Sequence, residues 1–174
     1  MSSIEGLKPL PFLGGYNAAE LWPTVNLAGL SWGLLILAPR WRHTPAITLA
    51  SPVIHAVIYG LSLASLIANN AADEDDAAAG GDMMTFEGVI EIFQDPNGVF
   101  VGWFHFCVYD VLVGRWIALD SVERGASVKF HALVMVPILL MAMMFAPVGW
   151  LFYVAIVRQL FLKPVASSDK SKSE

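Results

Sequence analysis

Four long apolar stretches, at about 21–38, 47–68, 99–119 and 132–157, take up most of this chain and hold few charges. A bilayer core about 30 Å thick needs roughly 20 apolar residues of helix to cross it, so each stretch is of spanning length. Composition agrees. Of 174 residues, 56% are hydrophobic and 14% charged, whereas an ordinary soluble domain is about 25% charged. The expected fold is all-α: a polytopic membrane protein with one four-transmembrane-helix bundle over residues 20–162, behind an amino-terminal segment at 1–19 and ahead of a disordered polar tail at 163–174.

Punctuation supports helices. Pro39 and Pro45 bracket the link "PRWRHTP", and Asn97-Gly98 opens the third stretch after "QDP", because proline lacks a donor and disfavours helix before it. One connection is long. "NNAADEDDAAAGGDMM", residues 69–84, is acidic and rich in small residues, which predicts a solvated loop with no core of its own. It lacks the glycine and terminal glutamate spacing of a calcium-binding loop. After it, "TFEGVIEIFQDP" places Phe86, Val89, Ile90 and Phe93 at helical spacing with Glu87 and Glu91 off that stripe, predicting a short amphipathic interfacial helix over 85–94.

With four crossings, the amino terminus, acidic loop and tail would share one side and the two short links the other. The links carry Arg40, Arg42, Arg124 and Lys129 with Arg115 at their margin; the opposite side would hold Lys8, Arg158, Lys163 and two tail lysines. The link charges lie nearest the membrane, which favours links facing cytoplasm or stroma. The opening twenty residues have neither the basic start and apolar core of a secretory signal nor the character of a transit peptide. A single Cys107 allows no internal disulfide and reads as a packing residue. Nucleophile elbows, phosphate loops and dinucleotide fingerprints are missing, and no basic patch is interleaved with aromatics, so membrane lipid is an expected partner and nucleic acid is not.

The third stretch contains "GWFHFCVYDVLVGRW", residues 102–116. At about 100° per residue, His105, Asp110 and Arg115 point three ways around one helix, and charged groups in a bilayer face protein or water. At 1.5 Å per residue, Asp110 lies about 17 Å in from Val99. The same count puts His55 of the second stretch near the depth of Asp110, and Asn26 of the first near that of His105. The expectation is therefore that His55 meets Asp110, Asn26 meets His105, and Arg115 turns to carboxylates or carbonyls at the link side. No metal site is expected, since two histidines and one carboxylate fall short of a zinc set. A carboxylate near mid-membrane points to function.

"VNLAGLSWGLLILAPRW" (25–41), "GVFVGWFHFCVYDVLVGRW" (98–116) and "LLMAMMFAPVGWLFYVAI" (139–156) together resemble the membrane domain of the abscisic acid deficient 4 family, over nearly all of residues 20–160. The matching positions are Asn26, Pro39, Arg40, Trp41, His105, Asp110, Gly114, Arg115 and Trp116. The resemblance implies a part in carotenoid (xanthophyll) metabolism, in a plastid membrane (thylakoid or envelope) or a prokaryotic inner membrane. It implies isomerisation of an epoxycarotenoid to an allenic carotenoid, as in neoxanthin formation, with no cofactor required. Asp110 would be the base, His105 or His55 the acid and Arg115 an electrostatic support; Asn26, Trp41, Trp103, Tyr109 and Trp116 would contact the pigment. The alternative is a non-enzymatic pigment-binding or accessory subunit of a photosynthetic complex, in which His55 or His105 ligates chlorophyll and the apolar faces hold carotenoid.

Overall fold

The computed structural model describes residues 5–72 and 83–164. Every regular element among them is helical: α1 (Ala18–Leu21), a 3-10 turn (Trp22–Val25), α2 (Asn26–Leu37), α3 (Thr44–Ala72), α4 (Phe86–Gln94), α5 (Pro96–Glu123), α6 (Val128–Met144) and α7 (Ala146–Leu160). Most of the expected acidic loop and of the polar tail lies outside the described residues. The chain divides into two compact units, Met1–Leu30 with Leu49–Tyr109 and Ser31–Thr48 with Asp110–Glu174.

Among the described residues, two helices, α3 and α5, are long and apolar enough to cross a membrane. At 1.5 Å per residue each is about 42 Å long. They contain the expected second and third spans. The first span is not one regular helix: Pro23, with no amide hydrogen, sits in the 3-10 turn, and regular α-helix starts only at Asn26.

The single fourth span is also corrected. Phe145 leaves the helical region at φ −145° and ψ 71°, between α6 and α7. Pro147 explains a break here, because its ring would collide with the Met143 carbonyl of a continuous helix and it has no N–H to offer. Beyond the break the chain doubles back closely enough that a Cβ on Gly149 would lie 2.5 Å from the backbone N and Cα of Ala142. Residues seven apart in a straight helix are separated by about 10 Å. The return is complete by Arg158 and Lys163: Arg158 Nε donates to Asp120 at 3.1 Å and Arg124 Nη1 donates to the Lys163 carbonyl at 3.1 Å. The hairpin thus starts and finishes at the carboxyl end of α5, so Arg158 and Lys163 belong with the links.

Burial on α3 is inverted relative to a soluble helix. Thr44, Thr48, Ser51, His55, Ser62 and Ser65, spaced three, four or seven apart, are buried, whereas Leu49, Val53, Ile54, Val57, Leu61 and Ile67 are exposed. Burying hydroxyls is cheap only if they are bonded. Thr48 donates to Thr44 O (2.6 Å) and Ser65 to Leu61 O (2.8 Å), the back-bonding habit of such residues in helices. The α4 stripe is outward too: Phe86, Ile90 and Phe93 are exposed and Gly88 is buried.

Within the first unit, Leu10, Ala18, Ile58, Phe100, Val101 and Phe104 form the core. Side chains from the ends of α3 and α5 clamp the amino-terminal segment to it. Ser65 Oγ accepts from Phe12 N (3.2 Å), Asn69 donates to Pro9 O (3.0 Å), and Asn97 donates to Gly6 O (3.0 Å) while accepting from Lys8 N (3.3 Å).

Candidate functional site

In the first unit, α3, α4 and α5 enclose a groove of about 430 Å³. From α5 come Gly98, Val101, Gly102 and His105, which share one face at helical spacing. The α3 wall runs from Tyr59 through Leu63, Leu66 and Ile67 to Asn70, and α4 adds Val89, Ile92 and Phe93. Glycine is needed on α5 because α4 crosses there: a Cβ on Gly102 would lie 2.9 Å from the Phe93 ring, and one on Gly98 would run into the Ile92 carbonyl. From Tyr59 to Asn70 the wall extends about 16 Å. Its polar groups are few, with Tyr59 and His105 toward one end and Asn70 toward the other. Such a groove suits a long apolar molecule with a polar end group.

His105 is half-buried in an aromatic setting. Its ring centroid is 4.6 Å from Tyr109, 5.6 Å from Tyr59 and 5.9 Å from Phe106. Neither ring nitrogen has a hydrogen-bond partner among the described residues, which leaves both available to a bound molecule.

His55 is the opposite case. It is fully buried; Nε2 donates to the Thr24 carbonyl at 3.0 Å, Nδ1 faces the Ser51 hydroxyl at 3.4 Å, and Phe104 packs edge-on at 5.2 Å. A carbonyl only accepts, so Nε2 carries a hydrogen and donates it. The donation to Asp110 that depth-matching suggests is replaced by one to backbone, where His55 ties α3 to the 3-10 turn that Pro23 forces. Asn26 likewise departs from expectation: it is exposed, and its amide turns back to Pro23 O at 3.0 Å instead of reaching His105. Asp110 is half-buried on α5, at the first position of the second unit.

Arg115 fulfils the carbonyl half of its expectation, donating from Nε (3.2 Å) and Nη2 (3.0 Å) to Pro45 O and so fastening the start of α3. Of the aromatics expected to touch pigment, Trp103 stacks near Trp22 at 5.9 Å and Tyr109 lies against His105, both in the first unit. In the second unit Trp41 meets His43 edge-on at 5.0 Å, and Trp116 contacts Tyr153 at 5.6 Å with Arg158 over its face. Of the expected site residues, His105 lines the groove, with Tyr109 against its ring.

Sequence reasoning missed Tyr59, Tyr153 and His131. Tyr59 lines the groove beside His105, and the signal for it was its place one turn beyond His55. In the second unit, Asp120 accepts from Tyr153 OH (2.5 Å), Arg124 Nε (2.8 Å) and Arg158 Nε (3.1 Å). His131, buried where α6 opens as a π-turn, donates from Nε2 to Ile36 O at 3.0 Å. Arg124 is one turn on from Asp120, but only tertiary folding brings Tyr153 and Arg158 to Asp120 and Ile36 to His131. The link motif is explained by the same packing: Thr44 Oγ donates to Ala38 O at 2.6 Å, Arg40 Nη2 donates to Ala126 O, and the Trp32 ring lies where a Cβ of Gly114 would be.

Neither the curated proteins nor the solved structures contain a match to this chain. The family model described as ABA DEFICIENT 4-like matches residues 21–153. That interval holds α2 to α6, the groove and the whole link motif, and it is well over half the sequence: the chain belongs to the ABA DEFICIENT 4-like family.

Proposed function

We propose that this protein is a multi-pass membrane protein of xanthophyll metabolism that isomerises an epoxycarotenoid to an allenic carotenoid at the Tyr59–His105 end of the groove. The observation that carries this reading is the uncommitted imidazole of His105 beside the Tyr59 ring, at the end of a long apolar groove. Family membership supports the pathway, and polar-in, apolar-out burial on α3 supports the membrane setting. Plastid membrane or prokaryotic inner membrane are the locations consistent with the family.

The chemistry needs one base and one acid. A proton leaves the polyene carbon next to the epoxide-bearing ring, the electron pair forms the allene, the epoxide C–O bond breaks, and the alkoxide takes up a proton. Atoms and oxidation level are unchanged, so no redox cofactor enters. His105 takes the proton and the Tyr59 hydroxyl donates to the opening epoxide oxygen. Asp110, five residues farther along α5, remains a second candidate base. His55, with both nitrogens engaged, is assigned to structure. The same open imidazole favours one rival, a non-enzymatic pigment-binding subunit in which His105 ligates the magnesium of chlorophyll.

One experiment separates them. Purified protein in detergent is incubated with violaxanthin and the pigments are resolved by chromatography. Conversion to neoxanthin, lost in His105→Gln and reduced at least tenfold in Tyr59→Phe, supports the isomerase. Retention of pigment without conversion refutes it and favours the rival.

A further inference from the structure

We infer that the second unit presents a cationic surface that binds the headgroups of anionic membrane lipids. The inference is independent of the isomerase reading. Its starting point is a charge division that the hairpin completes. Among described residues the first unit has Lys8 against five acidic residues, whereas the second has seven basic residues against Asp110, Asp120 and Glu123.

Not all seven are available. Arg40 and Arg115 are committed to the carbonyls of Ala126 and Pro45. Arg124 and Arg158 share one carboxylate, Asp120, so the trio retains a positive charge, and Arg158 lies 5.6 Å over the Trp116 ring. Arg42, Lys129 and Lys163 are exposed, and Arg42 gives only Nε, to His43. Surplus guanidinium and ammonium groups next to half-exposed tryptophan are the combination that meets phosphate and glycerol at a membrane surface. Lys163 and Arg158 join it only because α7 returns to the carboxyl end of α5. An anionic lipid is the occupant because it supplies a phosphate charge for the basic groups and acyl chains for the exposed apolar residues of α6 and α7.

The test uses the full chain in mixed micelles with equal phosphatidylglycerol and phosphatidylcholine, with native mass spectrometry counting retained lipid. Each basic residue near such a surface contributes about fivefold. The wild type should retain phosphatidylglycerol over phosphatidylcholine by at least fivefold. The preference should shrink toward one in R42Q/K129Q/K163Q, survive in the charge-conserving R42K/K129R/K163R, and be untouched by K8Q. Melting temperatures of these surface variants should match wild type. Equal retention of the two lipids by wild type overturns the inference, as does a preference that R42Q/K129Q/K163Q leaves intact. Loss of the preference to millimolar inorganic phosphate would make this a free-phosphate site and also overturn it.

Discussion

Replacing Gly149 with alanine tests the hairpin, the feature in which this fold departs most from its hydropathy. The new Cβ would stand 2.5 Å from both N and Cα of Ala142 and 2.6 Å from its Cβ. Carbon atoms settle at about 3.5–4.0 Å, so the overlap is about 1 Å. Two of the three atoms are backbone, and no rotamer change relieves them; α6 and α7 must separate. Overpacking in a tight core costs about 1–3 kcal/mol, and a rigid neighbour places this case near the upper end. Gly60→Ala is the control. Nothing lies within 4 Å of a Cβ there, and replacing a mid-helix glycine with alanine gains about 0.5–1 kcal/mol. The two variants should therefore differ by about 3 kcal/mol with opposite signs. Unfolding in mixed maltoside and dodecyl sulfate micelles, followed by circular dichroism, measures this. If Gly149→Ala is as stable as wild type, or moves in the same direction as Gly60→Ala, the close crossing is wrong and the last apolar stretch runs straight.

Cysteines introduced at Arg42 and Lys163, in a Cys107→Ser background, should react with an impermeant thiol reagent from the same side of a sealed vesicle; labelling from opposite sides would restore the fourth crossing. His55→Leu keeps approximate volume but strands the Thr24 carbonyl, so it should cost about 1–3 kcal/mol in the same micelle titration, and a neutral result would mean the bond contributes nothing. Asp120→Asn leaves Arg124 and Arg158 facing each other without their shared carboxylate; with Arg124 and Asp120 only 12% and 11% exposed, the loss should be about 2–3 kcal/mol, and an unchanged melting temperature would discount the network. Asp110→Asn removes a charge that is costly to insert, so expression should hold while pigment conversion falls; wild-type conversion would remove Asp110 from the reaction.

Local hydropathy was enough to identify α3, α5 and the amphipathic α4, because each of these declares itself within its own window of residues. It also marked the third stretch as chemically unusual and carried the family resemblance. Pairings were less legible. Depth along a helix can be counted from sequence, but rotation about its axis and the approach of irregular backbone cannot. That is why depth alone pairs His55 with a carboxylate, whereas in the fold the carbonyl of Thr24 in a 3-10 turn accepts its hydrogen bond. His105 was singled out for its position among charges, and what the fold added was a groove beside it and the neighbouring Tyr59.

Pro52 and Pro147 show where the sequence stops deciding. Both stand inside apolar stretches, both lack a donor, and by hydropathy they read alike. Pro52 is absorbed within α3, but two residues before Pro147 the chain leaves the helical region and reverses. Proline removes one hydrogen bond wherever it occurs; whether the helix continues or folds back depends on what the returning segment gains. Gly149 fits against Ala142, while Tyr153 and Arg158 reach Asp120, and these contacts between positions distant in sequence exist only once the chain has turned. Local pattern was sufficient for the apolar helices, the amphipathic one and the hydroxyls that bond back one turn along α3, whereas the hairpin, the cationic end and the partners of His55, Asp120 and His131 on other segments came from tertiary packing, because those energies arise between segments and not within them.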